Sequence, residues 1–487
     1  MKGAVLVVGT TSGAGKSTVV AGLCRSLLRR GGHVAPFKAQ NMSNHAAVTL
    51  DGGEIGRAQA MQAFAARVAP DRRMNPILLK PTAGMRSHVV VMGDEQDTTD
   101  AQAYGTTAQG LKSVVLDALT SLRGDYEMVV AEGAGGAAEI NLLDRDLVNL
   151  PLARAAGIPA VLVVDIDRGG AFAAAHGTID LLPPELRSTV RGIVINQFRG
   201  DASLLADGIA ELEARHGVPV LGVLPFLDPP PLLGLEDSLD VSVGLAGVNR
   251  SADPIRAVAV RLPHLANPSD LDPLVAEPDV DVRWSTSPAE IADADLVVVP
   301  GSRATVADLD WLRATGIADA LTTTEAMVVG ICAGFQMMGR SIDDGIESGR
   351  GRVDGLDLLD TSTTFAEPKI VRVSAGSGIL GYEIRFGRPE VGSEPWLELT
   401  EGPEGAVRGR CFGTSLHGVF DGDGLRRRFL SDVAEDRGRR YEPGPTFFDA
   451  LEAHHDRLAD WLEANLDIDR LLEISATAGA PQEAPGW

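Results

Sequence analysis

Two short stretches of this chain carry residues whose types and spacing suit chemistry. The first is Gly9-Thr-Thr-Ser-Gly-Ala-Gly-Lys-Ser17. A glycine-rich turn of this kind leaves backbone N–H groups free to wrap a triphosphate, and a following helix adds its positive end. Thr10, Gly13 and Gly15 fall within that cradle, Lys16 is placed to neutralise the β- and γ-phosphates, and the Ser17 hydroxyl is a ligand for Mg²⁺. Gly9 and Gly15 have five residues between them, one more than the common spacing, so the loop is a variant. The second stretch is Gly330-Ile-Cys-Ala-Gly334. Small residues on both sides of Cys332 permit a sharp strand-to-helix turn that projects the thiol, and a helix N-terminus lowers a thiol's pKa. The N–H of Ala333 is a candidate oxyanion donor, and Gly301, in Pro300-Gly-Ser302, is a second.

Each site needs partners. Met128-Val-Val-Ala-Glu132 reads as a buried strand ending in an acid, followed by glycines. A carboxylate there faces the same crevice as the phosphate loop and suits Mg²⁺, directly or through water; a solvated strand end is the plain alternative. Lys38 follows the short run Gly32–Phe37 and is read either as a second crevice cation or as a surface lysine. Only six of the 44 basic residues are lysine, which makes Lys16 and Lys38 conspicuous. The mixed-charge turns Asn141–Asp146 and Asp165–Gly170 are read as substrate or metal contacts, or equally as salt-bridged loops. For Cys332 the best-placed base is His417, flanked by small residues after a β-like run; His454 and His455 read as the solvated face of a late helix. Cys24 and Cys411 read as small buried hydrophobes.

The elements that position these groups follow from the apolar pattern. Continuous apolar runs at Ala4–Val8, 128–131, 160–165, 192–196 and 220–224 alternate with helical stretches, the first from Lys16 to about Arg30. That is the pattern of a parallel sheet covered on both faces. Pro229–Pro231 interrupts it, and a second alternating half follows, with strands at 255–262, 295–299 and 326–331 and β-like segments at 369–373 and 382–386. The division expected is a phosphate-loop domain over 1–228, a linker over 229–250, a second α/β domain over 251–470 and a disordered tail over 471–487. With 487 residues and 44% hydrophobic content the chain has ample material for two cores. A net charge of −23 argues against generic binding to nucleic acid or anionic membrane. Three cysteines at these spacings make neither a disulfide framework nor a zinc site. The run Ala4–Val8 is too short for the core of a signal peptide, and a cytoplasmic protein is expected.

Taken together, the segments resemble the cobyric acid synthase family. The resemblance runs from Gly9 to about Leu472 and rests on the phosphate loop, Pro36-Phe-Lys-Ala-Gln-Asn-Met42, Gly56-Arg-Ala-Gln59, Arg73–Pro81, Glu132-Gly-Ala-Gly135, Asp165–Gly170, Ile195–Asp201, Gly330–Gln336, Gly381-Tyr-Glu-Ile384 and Leu416-His-Gly418. It implies a dethiobiotin-synthetase-like phosphate-loop domain followed by a class I, triad-type glutamine amidotransferase domain. It further implies ATP with Mg²⁺, glutamine as ammonia donor, a corrinoid substrate, and amidation of its b, d, e and g carboxylates through acyl phosphates. Asp146 matches a family position associated with the synthetase site. One departure stands out. Many triad enzymes carry a glutamate two residues after the histidine, whereas His417 is followed by Gly418 and Val419. The third member is absent or comes from elsewhere, and Glu383 is the substitute considered. The competing readings are a sister amide ligase of the same build, a partitioning-type ATPase, which would leave Cys332 and His417 unexplained, and a non-catalytic binding protein.

Overall fold

A computed structural model describes residues 2–81, 86–96, 99–228, 243–245 and 251–481. The chain forms two compact units, one of Met1–Ser43, Gly53–Pro231 and Glu452–Trp487, the other of Asn44–Gly52 and Leu232–Leu451. Of the expected linker, only 243–245 fall within the described residues. Among those residues no helix is long and apolar enough to cross a membrane.

The first unit is built on six parallel strands: β1 (Gly3–Gly9), β2 (Val34–Phe37), β3 (Met128–Glu132), β4 (Ala160–Asp165), β5 (Val190–Phe198) and β6 (Val220–Pro225). Their spatial order is β6-β5-β4-β1-β3-β2, with β1 between β3 and β4. The continuous apolar runs have a direct cause. In β1, Ala4, Leu6 and Val8 enter one core while Val5 and Val7 enter another on the opposite face. A strand buried on both faces has no polar alternation to show. Helix α1 (Lys16–Arg29) covers the second face with Val19, Val20, Leu23 and Leu27. The turn into it needs Gly15, whose φ is 84°. A Cβ there would lie 2.3 Å from Asn196 Nδ2, so glycine is required on both counts.

The expected C-terminal boundary is corrected. Residues 452–481 return to the first unit, not to a second domain ending at 470. Helix α2 (Phe447–Asn465) sends Leu458 and Leu462 against α1, so closely that a Cβ on Gly22 would come 2.6 Å from Leu462. Burial of such a leucine is worth about 2–5 kcal/mol on truncation to alanine. Arg25 on α1 is buried and donates to Glu452 at 2.8 and 3.1 Å. His454 and His455, expected on a solvated face, are buried instead, and burial drives the His454 pKa down to about 3. Nor is 471–475 disordered. Helix α3 (Ile468–Ser475) starts on Asp467, whose side chain accepts the Arg470 N–H, and buries Ile468, Leu471 and Ile474. That i, i+3, i+6 spacing outweighs the Ala, Gly and Pro content beyond it. Residues 482–487 lie outside the described residues.

In the second unit the inner strands are β7 (Ile255–Val260), β8 (Val280–Ser285), β9 (Leu296–Val299), β10 (Met327–Ile331) and β13 (Cys411–Thr414). They are parallel, in the order β8-β7-β9-β10-β13, and the edges Gly244–Leu245 and Ala406–Arg408 run antiparallel. A long hairpin, β11 (Thr361–Gly376) and β12 (Ile379–Val391), forms the body of a further sheet. Leu296–Val299 and Val328, Val329 and Ile331 are all buried, which again hides any alternation.

Candidate functional site

The first unit gathers its charged groups at the carboxyl ends of β1, β2 and β3. Glu132 closes β3 and is 1% exposed. Its Oε1 accepts from Ser17 Oγ and Lys38 Nζ, each at 2.8 Å, and its Oε2 accepts from Gln62 Nε2 at 2.6 Å. So Ser17, Lys38 and Glu132, separated in sequence, meet at one point. Gln62 lies on helix Arg57–Ala65, three residues beyond the Gly56-Arg-Ala-Gln59 segment, and only the fold brings it to Glu132. Lys16 Nζ reaches the carbonyls of Thr11, Ser12 and Gly135 at 2.8, 3.1 and 3.1 Å, which holds the ammonium across the loop. Asn196 Nδ2 and Gln197 Nε2, at the end of β5, brace the loop through the carbonyls of Ala14 and Gly13 at 2.8 and 3.0 Å. The Thr10 N–H donates to the Val163 carbonyl at 3.0 Å. Any phosphate contact of Thr10 therefore runs through its hydroxyl.

Asp146 lies in the turns that follow Glu132. Its carboxylate accepts the N–H groups of Val148 and Asn149 at 2.7 and 2.9 Å and Asn149 Nδ2 at 3.0 Å. Burial raises its pKa against those hydrogen bonds. Asn149 in turn brackets Ala134, donating to its carbonyl at 2.8 Å and accepting its N–H at 3.2 Å. Asp146 thus orients the turn after Glu132 through Asn149. A hydroxyl and a carboxylate 2.8 Å apart form an oxygen donor set suited to Mg²⁺ completed by phosphate and water.

In the second unit Cys332 sits between β10 and helix Ala333–Met338, with φ 54° and ψ −109°. A non-glycine residue held there is strained, and the neighbours explain how. A Cβ on Gly334 would lie 1.9 Å from the Val299 carbonyl, and one on Gly330 2.7 Å from the Phe335 nitrogen. Both glycines are therefore needed for the elbow to close. The Cys332 N–H donates to Thr414 at the end of β13, at 2.8 Å. Three residues further, His417 is tied to Tyr382 by paired backbone bonds of 2.9 and 3.1 Å, and the two rings stack at 5.2 Å. Gly301 presses on the imidazole, since a Cβ there would fall 3.2 Å from His417 Cε1. Ala333 is the first helical residue after the thiol and is buried.

The carboxylate that meets His417 is Asp270. Its Oδ2 lies 2.7 Å from His417 Nδ1, and its Oδ1 accepts the Gly418 N–H at 3.0 Å. An ionised carboxylate only accepts, so Nδ1 carries a proton toward Asp270, and Nε2 faces the thiol. Burial pushes the His417 pKa down, but the charge of Asp270, then Cys332, overrides it and lifts the value to about 10. Glu383 is not this residue. Its carboxylate is buried among Arg372, Ser374 and Arg385, at 2.7, 3.1 and 2.7 Å, which spend it structurally. Asp270 lies 147 residues before His417, in Asn267-Pro-Ser-Asp270 after β7. The available signal was its place beyond the carboxyl end of a buried strand, the rule that had found Glu132. Cys24 is buried as expected, and Cys411 is partly buried.

Residues 5–229 match the CobQ/CobB/MinD/ParA nucleotide-binding domain, and 256–425 match the CobB/CobQ-like glutamine amidotransferase domain. The cobyric acid synthase of Rhodococcus jostii (strain RHA1) is 49% identical, over 99% of this chain and 97% of its own length. That of Nocardia farcinica (strain IFM 10152) is 48% identical over 100% and 99%. The chain belongs to the cobyric acid synthase family. It is a C–N bond-forming ligase of cobalamin biosynthesis with glutamine as amide donor. Membership accounts for the two site clusters together, since neither a nucleotide-binding switch nor a simple glutaminase needs both.

Proposed function

We propose that the protein uses ATP and glutamine to amidate the b, d, e and g carboxylates of adenosylcobyrinic acid a,c-diamide, giving adenosylcobyric acid. The supporting observation is the Cys332–His417–Asp270 arrangement in a chain that also unites Lys16, Ser17, Lys38 and Glu132 around a phosphate loop. Cys332 attacks the glutamine side-chain amide, and the oxygen of the tetrahedral intermediate is held by the N–H of Ala333 and by Gly301. His417, oriented by Asp270, passes a proton to the departing ammonia. Water then releases glutamate from the thioester.

A carboxylate does not react with ammonia, because oxide is too poor a leaving group. In the synthetase half the substrate carboxylate therefore takes the γ-phosphoryl group of ATP first. Lys16 and Lys38 supply positive charge where the transferring group gathers negative charge. Thr10 through its hydroxyl, with Gly13 and Gly15 through the backbone, completes the cradle. Ser17 and Glu132 are the residues that would hold Mg²⁺, which when bound neutralises the phosphates. Ammonia must arrive as NH₃, since ammonium has no lone pair to attack the acyl phosphate.

The test is mass spectrometry of the corrinoid after incubation with protein, Mg²⁺, ATP and amide-¹⁵N glutamine. Four successive ¹⁵N amides are expected. ATP and glutamine turnover without a corrinoid product would instead favour a sister ligase acting on another carboxylate.

A further inference from the structure

One charged group beside the phosphate loop has no part in the mechanism above. Asp165 ends β4, which is hydrogen-bonded along β1, the strand that delivers the phosphate loop. The chain then reverses through Asp165-Ile-Asp-Arg-Gly-Gly170. The Asp165 carboxylate accepts the Asp167 N–H at 2.8 Å, the Gly169 N–H donates to the Ile166 carbonyl at 3.0 Å, and Gly169 and Gly170 take φ of 79° and 73°. Left-handed glycines in succession let the turn close within a few residues. Its apex is Arg168.

The Arg168 side chain is 86% exposed and meets Asp165 at 3.6 Å. It reaches back over the phosphate loop, where a Cβ on Gly13 would lie 3.8 Å from its terminal nitrogen. An exposed ion pair of that length is worth about 1 kcal/mol at most and does not explain an arginine laid over a phosphate cradle. Arg199, on the neighbouring strand end, is by contrast held by Asp167 at 2.9 Å and stacked on Phe226. Lys16, whose ammonium is tied to the Thr11, Ser12 and Gly135 carbonyls, is a point charge. A guanidinium at Gly13 would add a planar, two-pronged donor to the same triphosphate.

We propose that Arg168 is a catalytic residue of the synthetase half, binding the γ-phosphate and the β,γ-bridging oxygen of ATP as the phosphoryl group moves. In that step a substrate carboxylate oxygen bonds to the γ-phosphorus. The bond from phosphorus to the bridging oxygen breaks, and its electron pair leaves on ADP. Charge grows on the bridging oxygen, and a guanidinium is most useful there. The inference rests on the reading of the loop as the site of phosphoryl transfer to a carboxylate.

The experiment compares wild type, Arg168→Ala and Arg168→Lys with ammonium as nitrogen source, so that Cys332 is bypassed. Binding of a fluorescent ATP analogue is measured beside corrinoid-dependent ADP release in a single turnover, and thermal unfolding reports integrity. Arg168→Ala is expected to bind the analogue within about threefold of wild type while ADP release slows roughly 100-fold. Arg168→Lys is expected to recover part of that loss, because it restores charge without the fork. A loss of rate below threefold in Arg168→Ala, or an equal loss of binding and rate, would overturn the proposal. If wild type binds the analogue but releases no ADP with the corrinoid, the functional reading fails, and this inference with it.

Discussion

Replacing Asp270 by asparagine tests the relay directly. The side chain keeps its size, so packing around His417 is preserved and only the charge is removed. Asp270 and His417 are each about 3% exposed and lie 2.7 Å apart. Removing one partner of a buried pair at such a distance costs about 3–5 kcal/mol. Spent on the imidazolium formed during acyl transfer, that is a rate loss of roughly 10²–10⁴. Glutamate release from glutamine should fall by that factor, while ammonium-dependent synthesis stays within about threefold of wild type. The pH profile adds a second sign. The His417 pKa stands near 10, above its ordinary 6.5, and Asp270 is the leading cause of the rise. The folded state favours the protonated ring, so this contribution to stability is complete below pH 6.5 and vanishes as pH climbs through 10. Wild type should therefore lose its stability margin over Asp270→Asn between pH 6 and pH 10, read as the difference in Tm. The alkaline limb of glutaminase activity should also move to lower pH in the variant. Glutaminase within threefold of wild type, with an unmoved alkaline limb, would refute the assignment of Asp270.

Three further outcomes are expected. Cys332→Ser should abolish glutamine-dependent synthesis but leave ammonium-dependent synthesis intact, as seen by ¹⁵N incorporation from each donor. Glu132→Gln removes the charge that Ser17, Lys38 and Gln62 converge upon. It should weaken the buried pairing of Lys38, lowering Tm and reducing ATP-dependent turnover by at least about 100-fold, checked by calorimetry and ADP release. Gly334→Ala must push its new methyl against the Val299 carbonyl, so we expect a loss of about 1–3 kcal/mol in urea unfolding and no measurable glutamate release.

Local signals carried much of this architecture. The phosphate loop, Glu132 and the elbow at Cys332 are each written within a dozen residues, because a strand, a turn and a helix start are short-range objects. His417 was legible through its small neighbours. Asp270 was not singled out, since its pairing with a histidine 147 residues away is made only by the folded chain. Gln62 escaped for the same reason. His454 and His455 misled because polar residues in a late amphipathic helix look solvated unless the surface they meet is known. The C-terminal boundary failed where composition was weighed over the apolar spacing of Ile468, Leu471 and Ile474. The contacts by which Asp146 orients the turn after Glu132 are local, but the target they brace is reached only through the fold and leaves no mark in spacing.

The return of residues 452–481 to the first unit has a bearing on synthesis of the chain. On the ribosome, α1 and the sheet emerge early, but Leu462, which packs on α1, and Glu452, the partner of Arg25, arrive more than 400 residues later. Until then a buried arginine lacks its carboxylate and an apolar face lies open, a state that calls for protection from aggregation. The finished phosphate-loop unit thus exists only after the elbow and its histidine have been translated. The gene cannot be cut near residue 230 into two self-sufficient halves. A fragment that stops there should be rescued only by supplying 452–481 in trans or by circular permutation that joins it to Gly3.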